Sequence, residues 1–200
     1  EYTLPLNERT TISLDQIPEY ESKHKFRPFT EQDIPQAMHL LLQAQKKFYV
    51  HSIRDEQIWK MQHETGMASA DKFEGYVVEK VGKMVAYIRV SDKPEAKDLI
   101  LREAPDVDHH TGKAILKFLK DIGKQREFET LTAQTSYYDS LTEQLIALGA
   151  VKSIPPYAWQ IRVIDYAKIF QKMKPLFEKR LTTSSYCNLT EKLNFNFYRY

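Results

Sequence analysis

Cysteine is all but missing from this 200-residue sequence: Cys187 stands alone, so no disulfide can close within the chain. Missing too are a basic-then-apolar leader at the start and any apolar run near the ~20 residues that a bilayer crossing needs. These absences argue against a disulfide-stapled secreted scaffold and a membrane span, and they make a reducing cytoplasm the expected location. Neither sign of charge dominates. The 29 basic and 27 acidic side chains are mixed along the chain and leave a net charge of +2. The broad positive field that gathers nucleic acid is therefore lacking, and no nucleic-acid partner is expected. There is no internal repeat and no low-complexity tract. His109 and His110 are adjacent, not spaced as two ligands on one helix face, and no Cys or His cluster completes them, so no metal is expected. Ser184 and Ser185 have no partnered histidine and no nucleophile-elbow setting, so a serine hydrolase is not expected.

What is present is the make-up of a globular protein, 42% hydrophobic and 28% charged, in a length that holds one cored domain or one domain and part of another. Residues 1–22 carry Pro5 and Pro18 without a sustained period and read as a linker or lead-in strand, with a short strand around Leu4. The chain reads as a stretch of a longer protein. A short apolar alternation at 26–29 predicts a strand; Thr30 and Asp33 are caps for a helix carrying Ile34, Met38, Leu41, Leu42 and Phe48. A second helix is expected over 54–63, ended by Gly66. The β-rich runs 75–81 and 84–90, joined at Gly82, predict an antiparallel hairpin. A strand over 98–103 follows. Then come Ala114, Ile115, Phe118, Leu119 and Ile122 at helical spacing, with Lys113, Lys117, Lys120 and Lys124 on the other face. Strands over 130–135 and 157–164 flank a helix over 140–148 closed by Gly149. After Asp165 an apolar stripe runs from Ile169 to Leu181, and Pro175 should kink that helix or start a new one.

Three pieces of sequence carry a family resemblance. Gly75-Tyr-Val-Val-Glu-Lys-Val81 with the returning strand to Tyr87 forms the first. His109-His-Thr-Gly-Lys-Ala114, between a strand and a helix, forms the second, and Leu145-Ile-Ala-Leu-Gly-Ala150 the third. In this order the chain resembles the Gcn5-related N-acetyltransferases across about 140 residues. The resemblance implies an α/β fold of the α+β mixed-sheet kind, with a central antiparallel hairpin, flanking helices and a C-terminal helical extension. The domain would span 23–164. Tyr157-Ala-Trp-Gln-Ile-Arg-Val-Ile-Asp165 followed by Pro175-Leu-Phe-Glu-Lys-Arg-Leu181 resembles the junction between an acetyltransferase domain and a sterol-carrier-like domain in enhanced-intracellular-survival type acetyltransferases, which makes 165–200 a C-terminal helix and the start of a truncated sterol-carrier-like segment. This chain looks like their second acetyltransferase-like domain.

The resemblance also implies chemistry. Acetyl-CoA would be the cosubstrate, its pyrophosphate held by His109, His110, Thr111, Gly112, Lys113 and Ala114. Glycine would let the backbone come close and the helix amides would meet the anion. The acceptor would be a primary amine on a small molecule or peptide, and a homo-oligomer is among the partners admitted. The family's usual acid, a Tyr four residues before the closing Gly, is Leu145 here, and its usual Asn is Tyr138. Tyr138, or its neighbour Tyr137, is the candidate substitute acid, with packing residues as the other reading. Glu103 is the candidate base, with an exposed surface carboxylate as the competing reading. Three functions remain in play: an acetyl-CoA-dependent N-acetyltransferase or a domain of one; a degenerate, non-catalytic domain shaping a substrate cleft or an oligomer interface; and a binding module for an apolar ligand or partner, resting on the stripe after Asp165.

Overall fold

Alternating apolar runs and glycine turns give strands that pair in one large sheet. The computed structural model describes residues 4–5, 7–48, 51–66, 73–136, 139–152, 158–159, 164–187, 189 and 192. The chain divides into two compact units, Glu1–Gln160 and Ile161–Tyr200. In the first, the elements run β1 (Leu4–Pro5), β2 (Asn7–Ser13), β3 (Lys25–Pro28), α1 (Ile34–Gln45), α2 (Glu56–Thr65), β4 (Glu74–Lys80), β5 (Lys83–Lys93) and β6 (Asp98–Glu103). They continue with α3 (His109–Gln125), β7 (Thr130–Ser136), α4 (Ser140–Ala147), β8 (Val151–Lys152) and β9 (Ala158–Trp159).

Seven strands form a mixed sheet in the order β3-β4-β5-β6-β7-β2-β8, and β1 pairs with β9 separately. The expected hairpin is present: β4 and β5 pair antiparallel from Glu74↔Val90 to Lys80↔Lys83. Its turn is Val81-Gly82, both with positive φ (51° and 71°), the twist-matched geometry of a two-residue hairpin. β6 and β7 are the parallel pair, joined by the right-length crossover through α3.

The segment expected as a linker or lead-in does more than lead in. Asn7–Ser13 lies between β7 and β8, in register from Asn7↔Ser136 to Ser13↔Thr130. Its physical basis is burial from far along the chain: Thr10 and Ile12 are 1% and 2% exposed, and Leu14 and Ile17 just after the strand join the core. The expected strand at 157–164 is described only at Ala158–Trp159.

One face of the sheet carries α3 and α4, and its core joins Ile115, Leu116 and Leu119 with Leu141 and Leu145 over the strands. The opposite face carries α1 and α2 over a smaller cluster of Phe29, Ile34, Ala37, Trp59, Val77 and Tyr87. In the second unit, α5 (Tyr166–Thr182) is capped by Asp165 and buries none of its residues. It continues through Pro175, so no new helix starts there. The carbonyl that the proline leaves unpaired sits on an exposed helix, where solvent can serve it. Among the described residues, no helix is long and apolar enough to cross a membrane.

Candidate functional site

Two places in the first unit gather the residues singled out by sequence: the N-terminus of α3 and the C-terminal end of β6. Loop 104–108 links them.

At α3, the helix starts earlier than the motif suggested. His109 through Ala114 are its first turns, not a loop ahead of it. The reason is Asp108, a strong N-cap residue one position before the motif. Its Oδ1 accepts from the amides of His110 (2.9 Å) and Thr111 (3.0 Å), its Oδ2 accepts from the Thr111 hydroxyl (2.7 Å), and its carbonyl accepts from the Gly112 amide (2.9 Å). Burial would raise the Asp108 carboxyl, but the Thr111 and His110 donors outweigh it and hold the carboxyl below its usual range. Thr111, Gly112 and Ala114 face the core, and His109 and His110 are exposed. The Lys113 ammonium lies over the Tyr20 ring at 5.4 Å. Gly112 serves helix packing: a Cβ there would stand 2.2 Å from Gln144 Nε2, on α4. The Thr111 hydroxyl also reaches His24 Nε2 at 3.2 Å.

At β6, Glu103 is not a surface carboxylate; its side chain is 10% exposed. Both oxygens are taken. Arg54 forms a paired contact through Nη2 to Oε1 and Nη1 to Oε2 (3.1 Å for the latter), Arg89 Nη1 donates to Oε2 at 3.2 Å, and the Tyr87 hydroxyl donates to Oε1 at 2.8 Å. Burial works to raise its pKa, but Arg54 first and then Arg89 and Tyr87 overcome this and leave it below the ordinary value. Such a carboxylate is a weak proton acceptor. Burial pushes the Tyr87 phenol well above its usual range. Arg54, Arg89, Trp59 and Gln62 were not found by sequence reading. The signal for one of them was present: Arg89 is a lone charge inside an apolar strand run, which demands a buried counterion.

Between these places β6 and β7 part. Their pairing runs from Asp98↔Thr130 to Leu101↔Ala133 and no further. Beyond it, Arg102 Nη1 reaches Gln134 Oε1 at 3.5 Å, and Asp106 accepts from Lys47 Nζ at 2.6 Å and from the Ser140 amide at 3.1 Å. Asp106 thus ties the segment after α1 to the start of α4. A cleft of about 510 Å³ lies beside it, walled by Leu40, Ala44, Val85 and Pro105 with Lys46 and Lys47 at its rim. Tyr138 lies outside the described residues, as does Tyr137. Leu145 is fully buried in the core. Among the described residues, no group of three or more His, Cys, Asp or Glu side chains could hold a metal ion.

A mixed sheet with a central hairpin, one parallel pair that parts, and a helix crossing between its strands is the Gcn5-related N-acetyltransferase fold. No family model matches the chain, and no curated protein matches it in sequence. Solved structures do match in fold. A Gcn5-related N-acetyltransferase from Anabaena variabilis aligns with 75% of this chain and 38% of its own length, at TM-score 0.59 and 16% identity. An Enterococcus faecalis protein described as a probable N-acyltransferase aligns over 77% and 39%, at TM-score 0.60 and 14% identity. A Gcn5-related N-acetyltransferase from Kribbella flavida aligns over 76% and 35%, at 0.53 and 11%. The chain therefore spans between 35% and 39% of the length of these neighbours.

Proposed function

We propose that this chain is one domain of an acyl-CoA-dependent N-acyltransferase and that this unit is itself non-catalytic. The observation that carries the reading is the Asp108 carboxylate on the amides of His110 and Thr111. A pyrophosphate at this helix end would need those same donors and would meet a negative charge already seated there. Two further features support it. Glu103 is committed to Arg54 and Arg89, and Leu145 stands where the resemblance expects a tyrosine acid. In the whole enzyme, acetyl-CoA would be the cosubstrate and a primary amine on a small molecule or peptide the acceptor. This unit would shape the substrate cleft or an oligomer interface, and the sterol-carrier-like segment would follow it.

A second reading rests on the parting of β6 and β7 beyond Leu101 and Ala133, taken as a notch for a thioester arm. In it, residues 109–114 hold acetyl-CoA, Glu103 is the base and Tyr138 the acid. Calorimetric titration of acetyl-CoA, with thiol release followed over polyamine, aminoglycoside and peptide amines, separates the two. The first reading expects no binding heat and no turnover. It expects Asp108→Ala to lose about 0.5–2 kcal/mol of stability with its cap and to gain no turnover. Acetyl-CoA stabilising the unaltered chain by about 2.7 kcal/mol at a hundredfold excess over its dissociation constant would reverse the assignment.

A further inference from the structure

Apolar strand sequence carries Arg89 into the interior, where it is 2% exposed, and Arg54 joins it with a side chain 11% exposed. Both guanidiniums lie on Trp59, with their central carbons 4.3 Å (Arg89) and 4.6 Å (Arg54) from its ring, and Arg89 also lies 4.8 Å from Phe73. Their Nη1 atoms converge on the same two acceptors. Gln62 Oε1 takes them at 3.2 and 3.1 Å, and Glu103 Oε2 at 3.1 and 3.2 Å, for Arg54 and Arg89 in turn. Like charges brought together in this way need opposite charge in equal number. Among the described residues Glu103 is the one carboxylate that pairs with either arginine, so one positive charge is left over.

Acceptors are short as well as charge. Arg54 Nε, Arg89 Nη2 and Trp59 Nε1 are buried donors with no acceptor among the described residues. The Tyr87 hydroxyl donates to Glu103 and so takes up more of its lone-pair capacity. A buried donor without a partner forfeits its hydration for nothing, and three in one cluster is an unusual concentration. Water could supply acceptors but not charge, and a dianion would overshoot the single surplus charge. A monoanion with two acceptor oxygens meets both needs. We propose that the Arg54–Arg89–Trp59 cluster is a binding site for a small monocarboxylate, distinct from the α3 helix end, with Trp59 and Phe73 supplying aromatic walls.

The test uses the 200-residue chain carrying Trp159→Phe, which leaves Trp59 as its single tryptophan. Sodium formate is titrated at constant ionic strength balanced with sodium sulfate, while Trp59 emission and the thermal midpoint are followed. Formate is expected to change the emission saturably and to raise the midpoint by about 3–6 °C at ten times its dissociation constant. Sulfate alone should do neither. Arg89→Met removes the surplus charge and leaves Arg54 balanced by Glu103, so it should fold and lose both responses. Should it fail to fold, Arg54→Met leaves the equivalent balanced pair and carries the same expectation. No saturable response to formate, or an equal response in these variants, overturns the proposal.

Discussion

The two faces of the sheet are made of different materials. Under α3 and α4 the core is almost wholly aliphatic, Ile115, Leu116 and Leu119 meeting Leu99, Leu101 and Leu131 without a charged group among them. Under α1 and α2 the buried apolar set is smaller and half aromatic, and it borders the Arg54–Glu103–Arg89 ions. Aliphatic packing is non-directional and tolerant of exchange, so the first face supplies cohesion. The second depends on fixed partners, because each buried charge is stable only while its counterpart stays in place. Cohesion and chemistry are thus separated by the thickness of one sheet, and damage to either face should read differently.

The sharpest break is Glu103→Gln, which strips two buried arginines of their carboxylate. It should cost ~3–5 kcal/mol in urea unfolding and shift Trp59 emission. A loss under ~1 kcal/mol would mean that the ions on this face do not depend on one another. Leu116→Ala on the aliphatic face should cost about 3 kcal/mol by cavity formation and leave Trp59 emission unchanged. The smallest effect concerns pH. Asp33 takes both Arg27 Nη atoms at 2.7 and 2.8 Å and the Thr30 amide at 2.8 Å, and Arg27 foremost holds its carboxyl at about 2. A folded-state value below the unfolded one contributes stability that is fully present above the unfolded pKa of about 3.9 and is lost as pH falls toward 2. The stability gap between the unaltered chain and Asp33→Asn should therefore hold from pH 7 to about pH 5 and close by pH 2. A gap that persists in acid would assign Asp33 a packing role.

Much of this fold was legible in the sequence because its signals are local. The β4–β5 hairpin announces itself through apolar runs on either side of Gly82, and α3 through Ile115, Leu119 and Ile122 at helical spacing. β2 was not legible as part of the sheet. Asn-Glu-Arg-Thr-Thr-Ile-Ser offers one large apolar residue, and its burial comes from β7, as the Thr11 to Thr132 hydroxyl contact 121 positions apart shows. At the site, Glu103 ends β6, a position that the apolar run before it makes legible. Its partners arrive from 49 residues before, in the case of Arg54, and 14, in the case of Arg89, and no local pattern foretells that meeting. Gly112 answers to a second demand that the motif does not reveal, because Gln144 of the next helix occupies the space a side chain would need. The Asp108 cap was visible one residue upstream of the motif, and it changes what the motif offers.

The place of β2 also sets a timetable. This strand is made before β7, against which it lies, and β8, made later still, has β2 as its neighbour in the sheet. With a separation of 121 residues between Thr11 and Thr132, a ribosome adding about 5–20 residues per second needs roughly 6–24 s between the two. Through that interval β2 must stay unpaired without sticking to other chains, a task for which its glutamate, arginine and threonines suit it. β7 in turn meets β6 through the α3 crossover with its far side bare until β2 returns. The polar character that hid β2 from a reading of the sequence is what lets a nascent chain wait.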